Sequence, residues 1–251
     1  MTTIAGPAGQ LYVDDGGAGG LPVLFVHSFA GSTAHWKAQL AHLRRRRRAL
    51  AMDLRGHGHS DAPPSGDYSV PALAEDIAAV ADGLELRRFV LVGHSMGGAA
   101  ASAYAGKNPG PVAGLVLAGS PGKSSAEQSQ QIMSALHADY DKVMAGYWSS
   151  LLEGAEPAVR EVLETGRRSI VREPSLAMIG ALFEFDPLPD LHSYPGPKLI
   201  IDTPHGDNPM ALHRQLPDVS RKVIAGTSHW PHMDKPQEFN RLLDEFLAWL
   251  A

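Results

Sequence analysis

The sequence predicts an α/β fold: a mostly parallel sheet with helices on both faces. Three observations carry that expectation. Short continuous apolar runs such as Pro22-Val23-Leu24-Phe25-Val26 lack the polar alternation of a half-exposed strand, so they read as strands covered on both sides. These runs alternate along the chain with stretches of helical periodicity, the pattern of parallel strands joined by crossover helices. One strand-to-helix junction carries Gly93-His94-Ser95-Met96-Gly97-Gly98, a G-x-S-x-G sequence directly after Phe89-Val90-Leu91-Val92 and before the Ala-rich stretch from Ala99 to Lys107.

The elements follow in order. Leu11-Tyr12-Val13 is a short strand ended by Asp14-Asp15-Gly16-Gly17, and Pro22–Val26 is the next. A helix is expected around Ala34–Leu43, then the strand Ala49-Leu50-Ala51-Met52 and the loop Asp53-Leu54-Arg55-Gly56-His57-Gly58-His59-Ser60. Pro71 to Leu84 reads as a helix with Leu73, Ile77 and Val80 on one face. Val112–Leu117, Lys198–Ile201 and Arg221–Ile224 are further strands, and Phe239 to Leu250 is a closing amphipathic helix with Leu242, Leu243, Phe246 and Leu250 inward.

Between Ser120 and about Tyr194 the alternation stops. Ile132, Met133, Leu136, Tyr140, Val143, Met144, Tyr147, Trp148 and Leu151 recur at helical steps, and further helices are expected over Pro157–Val171 and Leu176–Phe185. This segment, residues 120–194, is expected to be a helical cap whose aromatic and Met side chains, Met144, Tyr147 and Trp148 among them, form an apolar pocket. The core domain is then residues 1–119 and 195–251.

Length and composition bound the function. The chain has 251 residues, enough for one full core and too few for two large domains. A net charge of −5 gives no argument for nucleic acid. The basic run Arg44–Arg48 reads as a solvated helix end beside a strand. Without cysteine there is no disulfide, no thiolate metal site and no Cys nucleophile. No metal or cofactor is called for. Met1 to Gln10 lacks the basic and apolar regions of a signal peptide, and no apolar stretch is long enough to cross a bilayer, so a soluble cytoplasmic protein is expected. Oligomeric state is not legible in the sequence.

The chemistry starts at Ser95. A sharp strand-to-helix turn lifts its Oγ out of the sheet, Gly93 and Gly97 let neighbouring backbone pass close, and the new helix presents free N–H groups to negative charge. An attacking serine needs a neutral imidazole as base. Among 12 histidines, His229 follows the last strand and the turn Ala225-Gly226-Thr227-Ser228 and precedes the final helix, at the sheet end where Ser95 emerges. His232 is its competitor. An oxyanion hole needs backbone donors. Met96 N–H is one, and Phe29 N–H, in the loop His27-Ser28-Phe29-Ala30-Gly31-Ser32, is the other.

The chain resembles the α/β-hydrolases of the serine esterase, lactonase and cofactor-free perhydrolase group. The resemblance spans nearly the whole chain and rests on four segments: His27–Ser32, Asp53–Gly58, Gly93–Gly98, and Gly226-Thr227-Ser228-His229-Trp230-Pro231-His232-Met233-Asp234-Lys235-Pro236. It implies an eight-stranded sheet, a helical cap after the sixth strand, and neither metal nor organic cofactor. Ser28 stands where the group usually has Gly, and Ser95 separates the chain from relatives that use Asp as nucleophile. The group places its acid just past the strand before the last, where Asp202 and Asp207 both stand. The usual spacing to His229 favours Asp202, 27 residues upstream. The usual position several residues beyond the strand favours Asp207, and so does the reach of a loop carboxylate to the imidazole. Asp207 is the choice. Ala118-Gly119-Ser120 offers no carboxylate after the sixth strand.

The expected activity is cleavage of small-molecule carboxylic esters by Ser95, His229 and Asp207 through an acyl-enzyme, with an acid limb at the ordinary imidazole pKa of roughly 6 to 7. A lactonase, or a perhydrolase or haloperoxidase-like enzyme with peroxide as acceptor, uses the same parts. A non-catalytic ligand-binding protein is the remote alternative, since fold alone does not guarantee activity.

Overall fold

The computed structural model describes residues 2–250 except 169, 170 and 209. Eight strands form one sheet: β1 (Thr2–Gly6), β2 (Gly9–Gly16), β3 (Val23–Val26), β4 (Ala49–Met52), β5 (Phe89–His94), β6 (Val112–Ala118), β7 (Lys198–Asp202) and β8 (Ser220–Val223). Their spatial order is β1-β2-β4-β3-β5-β6-β7-β8. β2 runs antiparallel to β1 and β4, and every other pairing is parallel. The β1 strand is absent from the sequence reading. Its side chains alternate between half-buried and exposed, and Thr-Thr-Ile-Ala-Gly has too few apolar residues to register as a run.

The central strands β3 and β4, and β5 as far as His94, are apolar because both faces are covered. In β3, Leu24 and Val26 enter one core with Leu91 and Leu115, while Val23 and Phe25 enter the other with Val90, Val92 and Val116. Helices α1 (Lys37–Leu43), α2 (Val70–Gly83), α3 (Met96–Lys107) and the closing helix (Pro236–Trp249) cover these faces. Phe239, Asn240, Leu242, Leu243 and Leu247 are the buried residues of the closing helix. The Arg44–Arg48 run ties the α1 end to the β2 hairpin. Arg44 lies 2.9 Å from Asp14 and Arg48 2.7 Å from Asp15.

Chain order reverses between β3 and β5, with β4 on one side of β3 and β5 on the other. The carboxyl ends of β3 and β5 therefore flank a crevice, the place where open α/β sheets bind ligands.

Between β6 and β7 the described residues form helices and no strand: α4 (Ala126–Ala138), α5 (Tyr140–Leu151), α6 (Pro157–Arg168), α7 (Arg172–Glu184) and α8 (Leu188–Ser193). The continuous helical periodicity of 132–151 is broken at Asp139, whose backbone leaves the helical region (φ −152°, ψ 81°) and whose side chain accepts a hydrogen bond from Lys142 N, capping α5. The helix expected over Pro157–Val171 is seen to Arg168. Residues 169 and 170 lie outside the described residues.

Candidate active site

Among the described residues Ser95 is one of three non-glycine residues with positive φ, at φ 52° and ψ −116°. A side chain held in that region carries backbone strain, which persists only when the surroundings fix it. Here Ser95 N donates to Ala118 O at 2.9 Å, and Ser95 O accepts from Gly98 N at 2.8 Å. The two glycines of the motif are needed on steric grounds. A Cβ on Gly93 would collide with the Gly97 carbonyl, and one on Gly97 with the Val26 and His27 carbonyls. Met96 begins α3, so its N–H has no carbonyl one turn earlier and faces the Ser95 turn.

The second expected donor sits in the loop after β3. His27 fixes that loop: its Nδ1 donates to Ser28 O at 2.8 Å, and its Nε2 accepts from Leu54 N at 3.0 Å. Burial lowers the His27 pKa to about 3, so the ring stays neutral and can do both. Ser28 uses its hydroxyl. Trp230 Nε1 donates to Ser28 Oγ at 3.3 Å, joining the Phe29 loop to the loop that carries His229. Asp53, in the other loop shared with the hydrolase group, accepts from Thr33 N at 2.6 Å and His59 N at 2.9 Å. Arg55 forks onto the buried Asp76 at 2.8 and 2.7 Å. This segment is scaffold for the crevice.

His229 sits in the loop after β8. Its N donates to Leu151 O at 3.0 Å, and its O accepts from His94 Nε2 at 2.8 Å. The backbone at Gly119 (φ 50°) makes room for the ring: a Cβ there would stand 3.3 Å from His229 Cε1. Asp234 braces the loop by accepting from Ser228 N at 2.8 Å, Ser228 Oγ at 2.6 Å and Glu156 N at 2.9 Å. The sequence reading missed this role. The Asp that follows His232 by two residues was its only trace. His232 itself is fully buried and stacks on Trp36 with ring centroids 4.1 Å apart. It is placed in the core, and His229 at the crevice.

Ser95 and His229 line one cavity of about 390 Å³, together with Gly119, Ser120 and Asp202. Ser95 also lines a second cavity of about 650 Å³, with Phe29 and Met96 on its wall. The residues expected to hold the oxyanion thus stand beside the nucleophile, and the expected base faces it from the other side.

The structure does not bring Asp207 to His229. Arg214 Nε donates to the Asp207 carboxylate at 2.7 Å, and His213 Nε2 lies 3.3 Å from it. The Arg214 guanidinium holds this carboxyl below its usual pKa. Asp202 is buried and on the cavity wall, but it too has other partners: Oδ2 lies 3.2 Å from His213 Nδ1 and 3.3 Å from Arg221. Among the described residues neither carboxylate is hydrogen-bonded to the His229 ring. The expected apolar pocket is also redistributed. Met144 and Tyr147 line the larger cavity, whereas Trp148 is buried between Trp230 (5.7 Å, interplanar 5°) and Phe29 (6.3 Å) and packs the two loops together.

Burial without a hydrogen-bonded carboxylate lowers the His229 pKa to about 4. The neutral ring is the form that accepts a proton, so a lowered pKa extends its competence into acid. kcat/KM is therefore expected to stay level through pH ~6 to 7, where an ordinary imidazole titrates, and to fall only in more acid solution. A pH-rate profile on a neutral ester checks this. An inflection at the ordinary imidazole value, with the fold intact by circular dichroism at that pH, would mean a carboxylate or open water at His229.

Residues 22–151 match the family described as alpha/beta hydrolase fold. The chain is 28% identical to a thermophilic esterase from Thermogutta terrifontis, with a TM-score of 0.81 over 99% of this chain and 98% of that one. It is 27% identical to a structure described as an N-acyl homoserine lactone degrading enzyme, with a TM-score of 0.81 over 98% of this chain and all of the other. It is also 29% identical, over 92% of its length, to the dihydrolipoyllysine-residue acetyltransferase component of the acetoin cleaving system of Pseudomonas putida, of which it spans 65%. Together with the eight-stranded sheet and the turn at Ser95, these matches show that the chain belongs to the alpha/beta hydrolase fold family.

Proposed function

We propose that this protein is a serine hydrolase that cleaves carboxylic esters, with Ser95 as nucleophile and His229 as general base. The observation that carries the reading is the position of Ser95: strained at the head of α3, on a cavity wall shared with His229 and on a second shared with Phe29 and Met96. In this reading Ser95 Oγ attacks the acyl carbon as its proton passes to His229. The Met96 and Phe29 N–H groups receive the oxyanion. Collapse of the tetrahedral adduct expels the alcohol, which takes the proton from His229. Water, deprotonated by the same imidazole, then releases the acid and restores Ser95. The helices between β6 and β7 act as a cap that keeps bulk water from the acyl-enzyme. Likeness to an esterase and to a lactone-degrading enzyme supports ester-bond chemistry. The test is labelling by a fluorophosphonate together with turnover of p-nitrophenyl esters and simple lactones. Failure of both labelling and turnover would leave a ligand-binding protein.

The supporting carboxylate is decided by a pair of variants. Asp202 lines the cavity that holds Ser95 and His229, and Asp207 is half-exposed on Arg214. Asp202→Asn is expected to lower kcat by about 10-fold or more, and Asp207→Asn by less than about 3-fold. A triad carboxylate that directly fixes its imidazole is worth roughly 10⁴. A fall of that size in Asp207→Asn would show that Asp207 leaves Arg214 for His229 during turnover. Steady-state kcat on p-nitrophenyl butyrate reads both.

A further inference from the structure

The two cavities that meet at Ser95 differ in chemistry. The larger is walled by apolar side chains of α4, α5 and α7, including Ile132, Leu136, Val143, Met144, Met178 and Ile179, with Asp139 and Lys142 its only charged lining residues among those described. The smaller is also walled in good part by apolar residues, Pro121, Leu151, Met210 and Leu212 among them, but it carries more polar ones: Ser120, Ser124, Ser150, Asn208, Glu153 and Asp202. Ser95, Tyr147, Leu182 and Phe183 line both, so the last three form the partition. Resting on the Ser95–His229 reading, the chemistry orients an ester across this partition. The leaving oxygen takes its proton from His229, so the alcohol lies on the His229 side. The carbonyl oxygen points to the Met96 and Phe29 donors, whose residues wall the other side, so the acyl chain enters the larger cavity.

We propose that the substrate is an ester of a medium-chain apolar acid with a small hydroxylated alcohol that carries no negative charge, a monoacylglycerol being the plain case. The acyl wall offers apolar contact and almost no polar partner, so selectivity there grows with buried chain. The alcohol wall adds serines and Asn208 to its apolar side chains, so an alcohol with its own hydroxyls finds hydrogen-bonding partners there that are scarce on the acyl wall. Its charge is acidic. Asp202 is paired with Arg221, whereas Glu153 is exposed on the cavity wall, so a phosphate or carboxylate on the alcohol meets like charge.

The experiment compares kcat/KM for monoacetylglycerol, monobutyrylglycerol and monooctanoylglycerol, each below its micelle-forming concentration, and for monooctanoylglycerol phosphate. The wild-type value is expected to rise about 3- to 4-fold per methylene until the cavity is filled, from the transfer free energy of a buried CH₂. The phosphorylated ester is expected to fall at least about 10-fold below its neutral counterpart. Ile132→Trp, which fills the larger cavity, should lower the octanoyl-to-acetyl ratio. Glu153→Lys should raise the ratio of phosphorylated to neutral ester. A flat chain-length profile, equal use of the phosphorylated ester, or ratios unmoved by both variants would overturn the proposal. In each case, Ser95-dependent turnover of p-nitrophenyl acetate would leave the hydrolase reading standing. Loss of that turnover as well would overturn both.

Discussion

Ser95→Ala is expected to abolish ester turnover while leaving the fold in place. Removing the attacking oxygen from a hydroxyl–imidazole pair costs on the order of 10⁴- to 10⁶-fold in kcat, because what remains is only the rate help of the oxyanion donors and of binding. The variant should fold. Alanine has the Cβ that serine already places at φ 52°, and the bonds that fix the turn, Ser95 N to Ala118 O and Gly98 N to Ser95 O, are made by the backbone. The melting temperature is expected to move by no more than a few degrees, the scale of a surface-sized change. Active-site titration and kcat on an activated ester give the measurement, with circular dichroism as the folding control. A variant retaining more than about a tenth of wild-type kcat would remove Ser95 from the chemistry.

The second large effect separates two histidines that lie three residues apart. His229→Ala is expected to lower kcat by about 10³-fold or more, since among the described residues no other imidazole lines the cavities that meet at Ser95. His232→Ala should act on stability instead. Its ring is sandwiched in the core, 4.1 Å from Trp36 and 5.7 Å from Phe239, so truncation leaves a void whose cost is of the order of 2–4 kcal/mol. Activity per folded molecule should survive in that variant and its melting temperature should fall. If His232→Ala were folded but inactive, and His229→Ala active, the base would be His232.

Sequence legibility followed the range of the interactions involved. The central strands were readable because burial on both faces leaves only apolar residues in them. Ser95 was readable because the strand, the turn, both glycines and the helix follow one another without a gap between Phe89 and Lys107. β1 was not, because an edge strand half in water carries no apolar run. The break at Asp139 was missed because helical periodicity passes through a cap without changing step. Trp148 was assigned to the pocket because periodicity says that a face is buried but not against what. Its partners, Phe29 and Trp230, lie more than eighty residues away on either side. The choice between Asp202 and Asp207 turned on Arg214, His213 and Arg221, whose positions follow from how a loop folds rather than from any local pattern.

The imidazoles packed behind the crevice make this fold a proton-excluding object. His27, His35, His57, His94 and His232 are all buried. Burial lowers the pKa of His27 and His57 to about 3 and of His35 to about 4, and it holds His94 and His232 well below the ordinary value. Above that ordinary value, about 6.5, folded and unfolded chains bind the same protons at these sites and the cluster has no effect on stability. Below it, the unfolded chain takes up protons that the fold refuses. Each proton of difference then weakens the folded state by about 1.4 kcal/mol per pH unit, against a total stability of about 5–15 kcal/mol. His229 remains a competent base in mildly acid water, but the scaffold around it is being titrated apart. The acid edge of this protein's working range is therefore expected to be an unfolding edge, with loss of circular dichroism accompanying loss of activity.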